Sequence, residues 1–403
     1  MCPKVEANVC VKCKGSRLLC GLRRCPIVER LKFSSTVPEG RVIEGFTPPS
    51  SLVGEKGYPR IAVGPTISPR EMEPEDPRLW ISRDLSHLIA RFSSQVYAYF
   101  KSHVRRVDDP RLEEIRFSAM SQLPVSMSVE LAKPPRPKVS FDGILTPLGP
   151  SAPLERIRLA ENPKIPLALE RAFHDTDAKT ADIAWESYRR GIDVYAISKL
   201  LSLGGLGERA RRRLVPTKWA ITAVDSIIGD KLKREVIGFG IYSGEALLFM
   251  SSYEGNDYLI LIASGPYMLE VVEAWMPRGI WTMGSVEPVI LMNLETGSSG
   301  LEYMDGGHYA MRLAVLEKLF NMRRQAAVIS LRRIGPEYYA PVGVWQVREG
   351  MRKALRSEPL KFPDLADALI YIRKSLDLNL STLLRMMRVP KFLRGRVSLE
   401  SFF

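Results

Sequence analysis

The chain has 403 residues, more than one ordinary domain, and its 45% hydrophobic and 26% charged residues are the proportions of a protein with a real apolar core. No run approaches the roughly 18 uninterrupted apolar residues of a membrane helix. Met1-Cys2-Pro3-Lys4-Val5-Glu6 lacks the apolar stretch of a secretion signal, so a cytoplasmic address and no membrane partner are expected. A formal net charge of +13 favours polyanionic partners through Coulomb attraction and counterion release, and says nothing about fold.

The first 33 residues are rich in Cys and Arg and read as a small separate element. From Ser34 to Pro77 the turn signals Pro48-Pro49, Gly54, Gly57 and Pro65 predict a loop-like stretch, interrupted by a short buried strand at Arg60–Gly64. Asp84 is placed to cap a helix running to about Val104, with Leu85, Leu88, Ile89, Phe92, Val96 and Tyr99 on one face. The proline-interrupted segment Pro124–Pro153 predicts two or three extended pieces, and 153–214 reads as helical. Strands are expected at Val236–Tyr242, Ala246–Tyr253 and Tyr258–Ala263, with Glu254-Gly255-Asn256-Asp257 as a hairpin turn. Helices follow at His308–Arg323, Val344–Leu355 and Leu365–Ser375, the last with Leu365, Leu369, Ile372 and Leu376 as one stripe behind an Asp364 cap. The fold class is α+β: mixed sheets with helices, a small N-terminal four-cysteine element and a helical C-terminal part. Its expected divisions are 1–33, 34–282, 283–390 and a tail at 391–403, the main boundary falling between Pro277 and Pro288.

All five cysteines lie at the front: Cys2, Cys10, Cys13, Cys20 and Cys25. The last four give C-x2-C-x6-C-x4-C, compact enough to wrap one tetrahedral ion at the Zn–S distance of about 2.3 Å. Gly15 and Gly21 supply bends, and Lys12, Lys14, Arg17, Arg23 and Arg24 offset the excess charge of four thiolates. Two disulfides or an iron–sulfur cluster use the same residues, and an intracellular address weighs against the disulfides. Structural zinc is the expected occupant, because four thiolates leave no open position for a reacting water.

The chain ends Arg396-Val397-Ser398-Leu399-Glu400-Ser401-Phe402-Phe403. An aliphatic residue, two spacers and two aromatics match the hydrophobic part of the box that docks on the sliding clamp (PCNA). One short turn would put Leu399, Phe402 and Phe403 on a single side for an apolar pocket. Arg396 stands where that box usually carries Gln.

Candidates for chemistry are sparse. His174, Asp175 and Asp177, with Asp182 and Glu186 behind them, form a run that can hold Mg²⁺ or Mn²⁺ for phosphodiester cleavage, or simply an acidic helix start. His308 follows Asp305-Gly306-Gly307, which reads as a phosphate-facing helix start or as a plain N-cap. Asp225 and Asp230 are not singled out by spacing. Arg209, Arg211, Arg212, Arg213 and Lys218 crowd one joint where Pro216 begins a helix, the arrangement of a phosphate clamp for DNA. The interleaved aromatics of a dedicated single-strand binder are absent from that stretch.

Cys10-Val11-Lys12-Cys13 with Leu19-Cys20-Gly21-Leu22-Arg23-Arg24-Cys25-Pro26 resembles the archaeal Nre family of DNA repair proteins. So do Arg213-Leu214-Val215-Pro216-Thr217-Lys218-Trp219-Ala220-Ile221-Thr222 and Tyr339-Ala340-Pro341-Val342-Gly343-Val344-Trp345-Gln346-Val347-Arg348-Glu349. The likeness runs over nearly the whole chain, tail included. It implies a zinc-finger-like element, two characteristic regions and a role with the clamp in repairing damaged DNA, at the nucleoid of an archaeal cell. It implies no settled chemical activity. The scarcity of thermolabile amides, six Asn and four Gln, fits a hot-growing source. Two functions are therefore expected: a clamp-recruited factor that binds DNA, or a metal-dependent nuclease or nucleotide-processing enzyme.

Overall fold

Two six-stranded mixed sheets, with helices packed between and over them, make up the computed structural model. It describes residues 40–136, 149–279, 281–282, 285–300, 305–339, 342–375 and 387–393, with the isolated positions Cys13, Arg17, Leu18, Cys25, Val28 and Pro38. The first sheet gathers β1 (Val42–Thr47), β2 (Ser51–Val53), β3 (Arg60–Ile67), β4 (Val96–His103), β5 (Val125–Leu131) and β6 (Ser151–Leu159). Their order is β1-β5-β6-β4-β3-β2, with only β4 and β6 parallel. Alternation shows plainly in β5, where Val125, Met127, Val129 and Leu131 are buried and the residues between them are not, as a sheet with one covered face requires. Between its strands lie α1 (Pro77–Trp80), α2 (Leu85–Ser93) and α3 (Pro110–Met120).

Next come α4 (Leu167–His174), α5 (Thr180–Arg189), α6 (Val194–Ser202) and α7 (Thr217–Val236). In α7, Ala220, Val224, Ile228, Leu232 and Val236 recur every fourth residue and are all buried, which makes this helix the hub of the helical layer. The second sheet contains β7 (Ala246–Tyr253), β8 (Asn256–Ala263), β9 (Met268–Trp275), β10 (Val289–Thr296), β11 (Ala327–Ile334) and β12 (Leu360–Phe362), in the order β10-β9-β11-β8-β7-β12. The remaining helices are α8 (Gly306–Met322), α9 (Trp345–Arg356), α10 (Leu365–Ser375) and α11 (Val389–Leu393). α8 carries the chain back from β10 so that β11 lies parallel to β9.

Both faces of this second sheet are covered. Ile260, Ile262, Leu269, Val271 and Val328 join the core shared with α7, α8 and α9, while Leu259, Leu261, Val272 and Leu331 meet Leu369 and Ile372 of α10 and Val389 of α11. Near-continuous apolar strands are the sequence consequence of two-sided burial. The segment between Pro277 and Pro288 joins two neighbouring strands of this sheet.

Several expectations hold. Glu254 and Gly255 turn the β7–β8 hairpin with φ of 45° and 75°, the left-handed pair that a two-residue loop demands. Asp364 accepts the amide of Asp367 at 2.9 Å and starts α10. Others are corrected. The 34–77 stretch holds three strands rather than one. The helix from Asp84 ends at Ser93, and Val96–His103 is a strand paired on both sides, because Val96-Tyr97-Ala98-Tyr99-Phe100 is a continuous apolar run suited to a central strand. Residues 151–159 likewise form a strand: Leu154-Glu155-Arg156-Ile157-Arg158-Leu159 has helix-forming letters, but pairing with β5 and β4 overrides that preference. Val236 closes α7, whose fourth-residue apolar series it completes, so no strand runs from there to Tyr242.

Candidate functional site

The basic joint lies between α6 and α7. Arg209–Arg211 form a single turn of tight helix, and Pro216 leads into α7, as its spacing predicts. Arg209, Arg211, Arg213 and Lys218 are exposed. Arg211 pairs with Glu208 at 3.0 Å and Lys218 with Glu55 at 2.8 Å, surface pairs worth little in water. Arg212 is different. Its Nε donates to the Gly207 carbonyl at 2.9 Å, and its Nη2 donates to the carbonyls of Phe173 and Asp175 at 2.8 and 2.7 Å. It ties the joint to the end of α4, and burial pulls its pKa below the usual arginine value.

No side chain caps the first turn of α7 and no acidic residue sits in it, so nothing within the helix offsets its positive end, where Lys218 and Trp219 are exposed. Thr217 Oγ1 accepts the amide of Val53 at 2.9 Å and fixes this end against the edge strand β2. Two aromatics complete the surface. Trp219 and Tyr58 are 49% and 48% exposed with ring centroids 5.4 Å apart, although 161 positions of sequence separate them. Nothing in the residues around either ring signals this pair; the approach of α7 to the β2–β3 connection creates it.

His174, Asp175 and Asp177 stand exposed at the end of α4. Asp175 Oδ1 accepts the amides of Asp177 and Ala178 at 3.2 and 3.0 Å, Asp182 pairs with Lys231 at 3.1 Å, and Glu186 pairs with Arg190 at 2.8 Å. This run builds a turn and two surface pairs, and it is not brought to His308.

His308 finds other company. Asp305 caps α8 by accepting the His308 amide at 3.1 Å, which is the plain N-cap geometry. His308 is only 5% exposed, and neither ring nitrogen has a hydrogen-bond partner among the described residues. Glu273, buried on β9, comes with Asp305 and His308 into one group whose donor atoms all lie within 4.8 Å of one another. Arg332 of β11 donates to Glu273 Oε1 at 2.8 Å and to Asn256 Oδ1 at 2.7 Å. Burial works against its charge, but Glu273, Tyr258 and Tyr338 outweigh it and hold the guanidinium above its ordinary pKa. Its faces meet Trp275 and Tyr338, and Trp281 stacks on Tyr338 at 5.2 Å. A Cβ at Gly307 would sit 3.0 Å from Glu273 Oε1 and 3.1 Å from Asp305 Oδ1, so the glycine is what lets the carboxylate reach the helix end. Glu273 is absent from the candidates that spacing singles out, yet the sequence carries a signal for it. A carboxylate in the apolar strand Met268-Leu269-Glu270-Val271-Val272-Glu273-Ala274-Trp275 must find a partner.

Of the four candidate zinc ligands, Cys10 and Cys20 lie outside the described residues; Cys13 is buried and Cys25 half-buried. The tail residues Arg396, Leu399, Phe402 and Phe403 also lie outside them. Among the described residues no helix is long and apolar enough to cross a membrane.

An α+β protein with a basic, aromatic-bearing joint and a buried imidazole–carboxylate group is what the fold and its surfaces define. Comparison adds the family: residues 19–282 match the model described as archaeal Nre, N-terminal, and residues 294–402 match archaeal Nre, C-terminal. The chain is 37% identical over 367 residues to the DNA repair protein NreA of Archaeoglobus fulgidus, covering 89% of this chain and 92% of that one. It is 32% identical over 392 residues to the DNA repair protein NreB of the same organism, covering 96% and 97%, and 31% identical over 373 residues to the DNA repair protein NreA of Haloferax volcanii, covering 88% and 87%. This chain belongs to the archaeal Nre family. No solved structure matches it. The family's two regions meet within the second sheet, since β9 falls in the first and β10 straddles the start of the second.

Proposed function

We propose that this chain is a DNA repair factor that grips DNA through the basic joint and is brought to it by the sliding clamp. The observation that carries the reading is that Arg209, Arg211 and Arg213 stand exposed in the short segment leading to the uncapped start of α7, which itself bears the exposed Lys218 and the Trp219 of the Tyr58–Trp219 pair. Guanidinium and ammonium groups beside a helix N-terminus suit phosphate, and a solvated aromatic pair suits an unstacked base. The names of the relatives support the repair setting. The pattern of Leu399, Phe402 and Phe403 supports docking on the clamp, and the C-x2-C-x6-C-x4-C spacing supports one structural zinc on Cys10, Cys13, Cys20 and Cys25. Such a factor would work at the nucleoid.

The test is binding to duplex, nicked and single-stranded DNA across a salt series. Affinity should fall as salt rises, and Arg209→Ala, Arg211→Ala, Arg213→Ala together should flatten the slope by about 0.9 for each duplex phosphate that is no longer neutralised. An unchanged slope removes the joint as the DNA face. Calorimetry of the 396–403 peptide against the clamp tests delivery separately. Phe402→Ala with Phe403→Ala should cost several kcal/mol, the magnitude of interface hot spots, and a peptide that does not bind refutes the docking role.

A further inference from the structure

The buried group on α8 takes no part in the DNA-binding joint and calls for an occupant of its own. We infer that Glu273, Asp305 and His308 form a binding site for a divalent cation of the Mn²⁺ kind, hard enough for carboxylates and accepting of one imidazole.

The unpartnered ring carries most weight. A buried imidazole normally satisfies at least its N–H, and leaving a buried polar group unmet costs roughly 1–3 kcal/mol. Both nitrogens of His308 lack a partner among the described residues, and the residue is almost wholly covered. Two carboxylate groups supply the neighbouring donors within 4.8 Å. Each group is held by its neighbours: Glu273 on an interior strand by Arg332, Asp305 by its cap to His308, and His308 on the first turn of a 17-residue helix. Hydrogen bonds that orient the ligating groups are the usual support of a metal site.

Charge is the counterweight. Arg332 and the positive end of α8, equivalent to about half a unit charge, both oppose a cation here. The two carboxylates outweigh them and leave the group slightly negative until an ion arrives. Asp305 is exposed, so an ion reaches the group from solvent on that side. Three protein ligands leave coordination positions for water or an oxygen of a phosphate ester.

Mn²⁺ is the probe, because it avoids the soft thiolates of the N-terminal cysteines. Electron paramagnetic resonance of the full-length protein, titrated with Mn²⁺, should show about one ion bound per chain, with DNA absent. Glu273→Gln and His308→Ala should each weaken binding by at least about tenfold, the scale of losing even an outer partner of a metal site. Either variant can perturb the fold, so Asp305→Asn is the decisive one. Asn caps a helix as well as Asp, so α8 should keep its start, and thermal unfolding without metal should stay put while the signal of bound Mn²⁺ is lost. Wild-type protein that binds no Mn²⁺, or binding that Asp305→Asn and His308→Ala leave unchanged, overturns the site. Neither result bears on the salt dependence of DNA binding.

Discussion

Arginine does two opposite jobs in this molecule, and the basic joint and the second sheet show them side by side. At the joint Arg209, Arg211 and Arg213 stand in water, with Glu208 the acidic partner of Arg211. Against the second sheet Arg312, Arg332 and Arg348 are buried to 4% exposure or less, and each meets a carboxylate: Glu295, Glu273 and Asp225. The difference teaches where the charge of +13 is available to a partner. These buried arginines tie helix to strand at Glu295, strand to strand at Glu273 and helix to helix at Asp225, and have no field to spare, whereas those at the joint lose little by exchanging water for phosphate.

The sharpest way to break the comparison is Arg348→Ala. Arg348 on α9 donates to Asp225 on α7, and its guanidinium lies 4.9 Å from the centre of the Tyr195 ring on α6. Removing it strands a carboxylate inside the helical layer, which should cost about 3–5 kcal/mol. Arg209→Ala should change stability by less than about 0.5 kcal/mol. Calorimetric melting of both variants checks the pair. Equal melting temperatures would mean that the interior ion pairs are not what holds the helices together.

A second, smaller effect follows from pH. Burial disfavours the Glu295 carboxylate, but the hydrogen bonds and charge of Arg312, with Lys233, more than offset this and hold its pKa below the ordinary 4.5. A carboxyl whose folded pKa is depressed adds stability that is complete above its unfolded pKa and disappears as pH falls through the folded one. Glu295→Gln should therefore destabilise the protein at neutral pH by less than Arg348→Ala, because Asp230 still meets Arg312 at 2.8 Å. Its deficit against wild type should shrink below about pH 4.5. Denaturant melts along an acid series measure it, and a deficit that stays constant with pH refutes the linkage.

These interior pairs mark how far the sequence can be read. Helix α10, the β7–β8 hairpin and the Asp305 cap are set by neighbours within a few residues, and they are legible. So is the basic joint, as a run of letters. Strands β4 and β6 are not, because their partners lie elsewhere in the chain and pairing overrules local preference. One part of the candidate surface shares that fate: Tyr58 reaches Trp219 only through the packing of α7 on the first sheet. His308 is visible from its Asp-Gly-Gly prefix, while Glu273, 35 positions earlier, can be found only by asking why β9 carries a charge.

The smallest effect separates two adjacent arginines that are indistinguishable in the sequence. Arg212 spends its guanidinium on three backbone carbonyls and lies 5.7 Å from the centre of the Phe173 ring; Arg213, next to it, is exposed. Arg212→Ala leaves those carbonyls to find water and loosens the tie between α4 and the joint, at about 1–2 kcal/mol for charged hydrogen bonds that are only partly covered. Arg213→Ala should be neutral in stability within about 0.5 kcal/mol. On DNA the order should reverse. Arg213→Ala should lower the salt slope by about 0.9 if it meets one phosphate, and Arg212→Ala should leave the slope where it was while weakening affinity only as far as the joint loosens. Urea unfolding and salt-dependent DNA titration of the two single variants decide the matter together. Should Arg212→Ala flatten the slope as much as Arg213→Ala, Arg212 must let go of α4 to bind DNA, and the division between interior and exterior arginines fails at the place where it is drawn most finely.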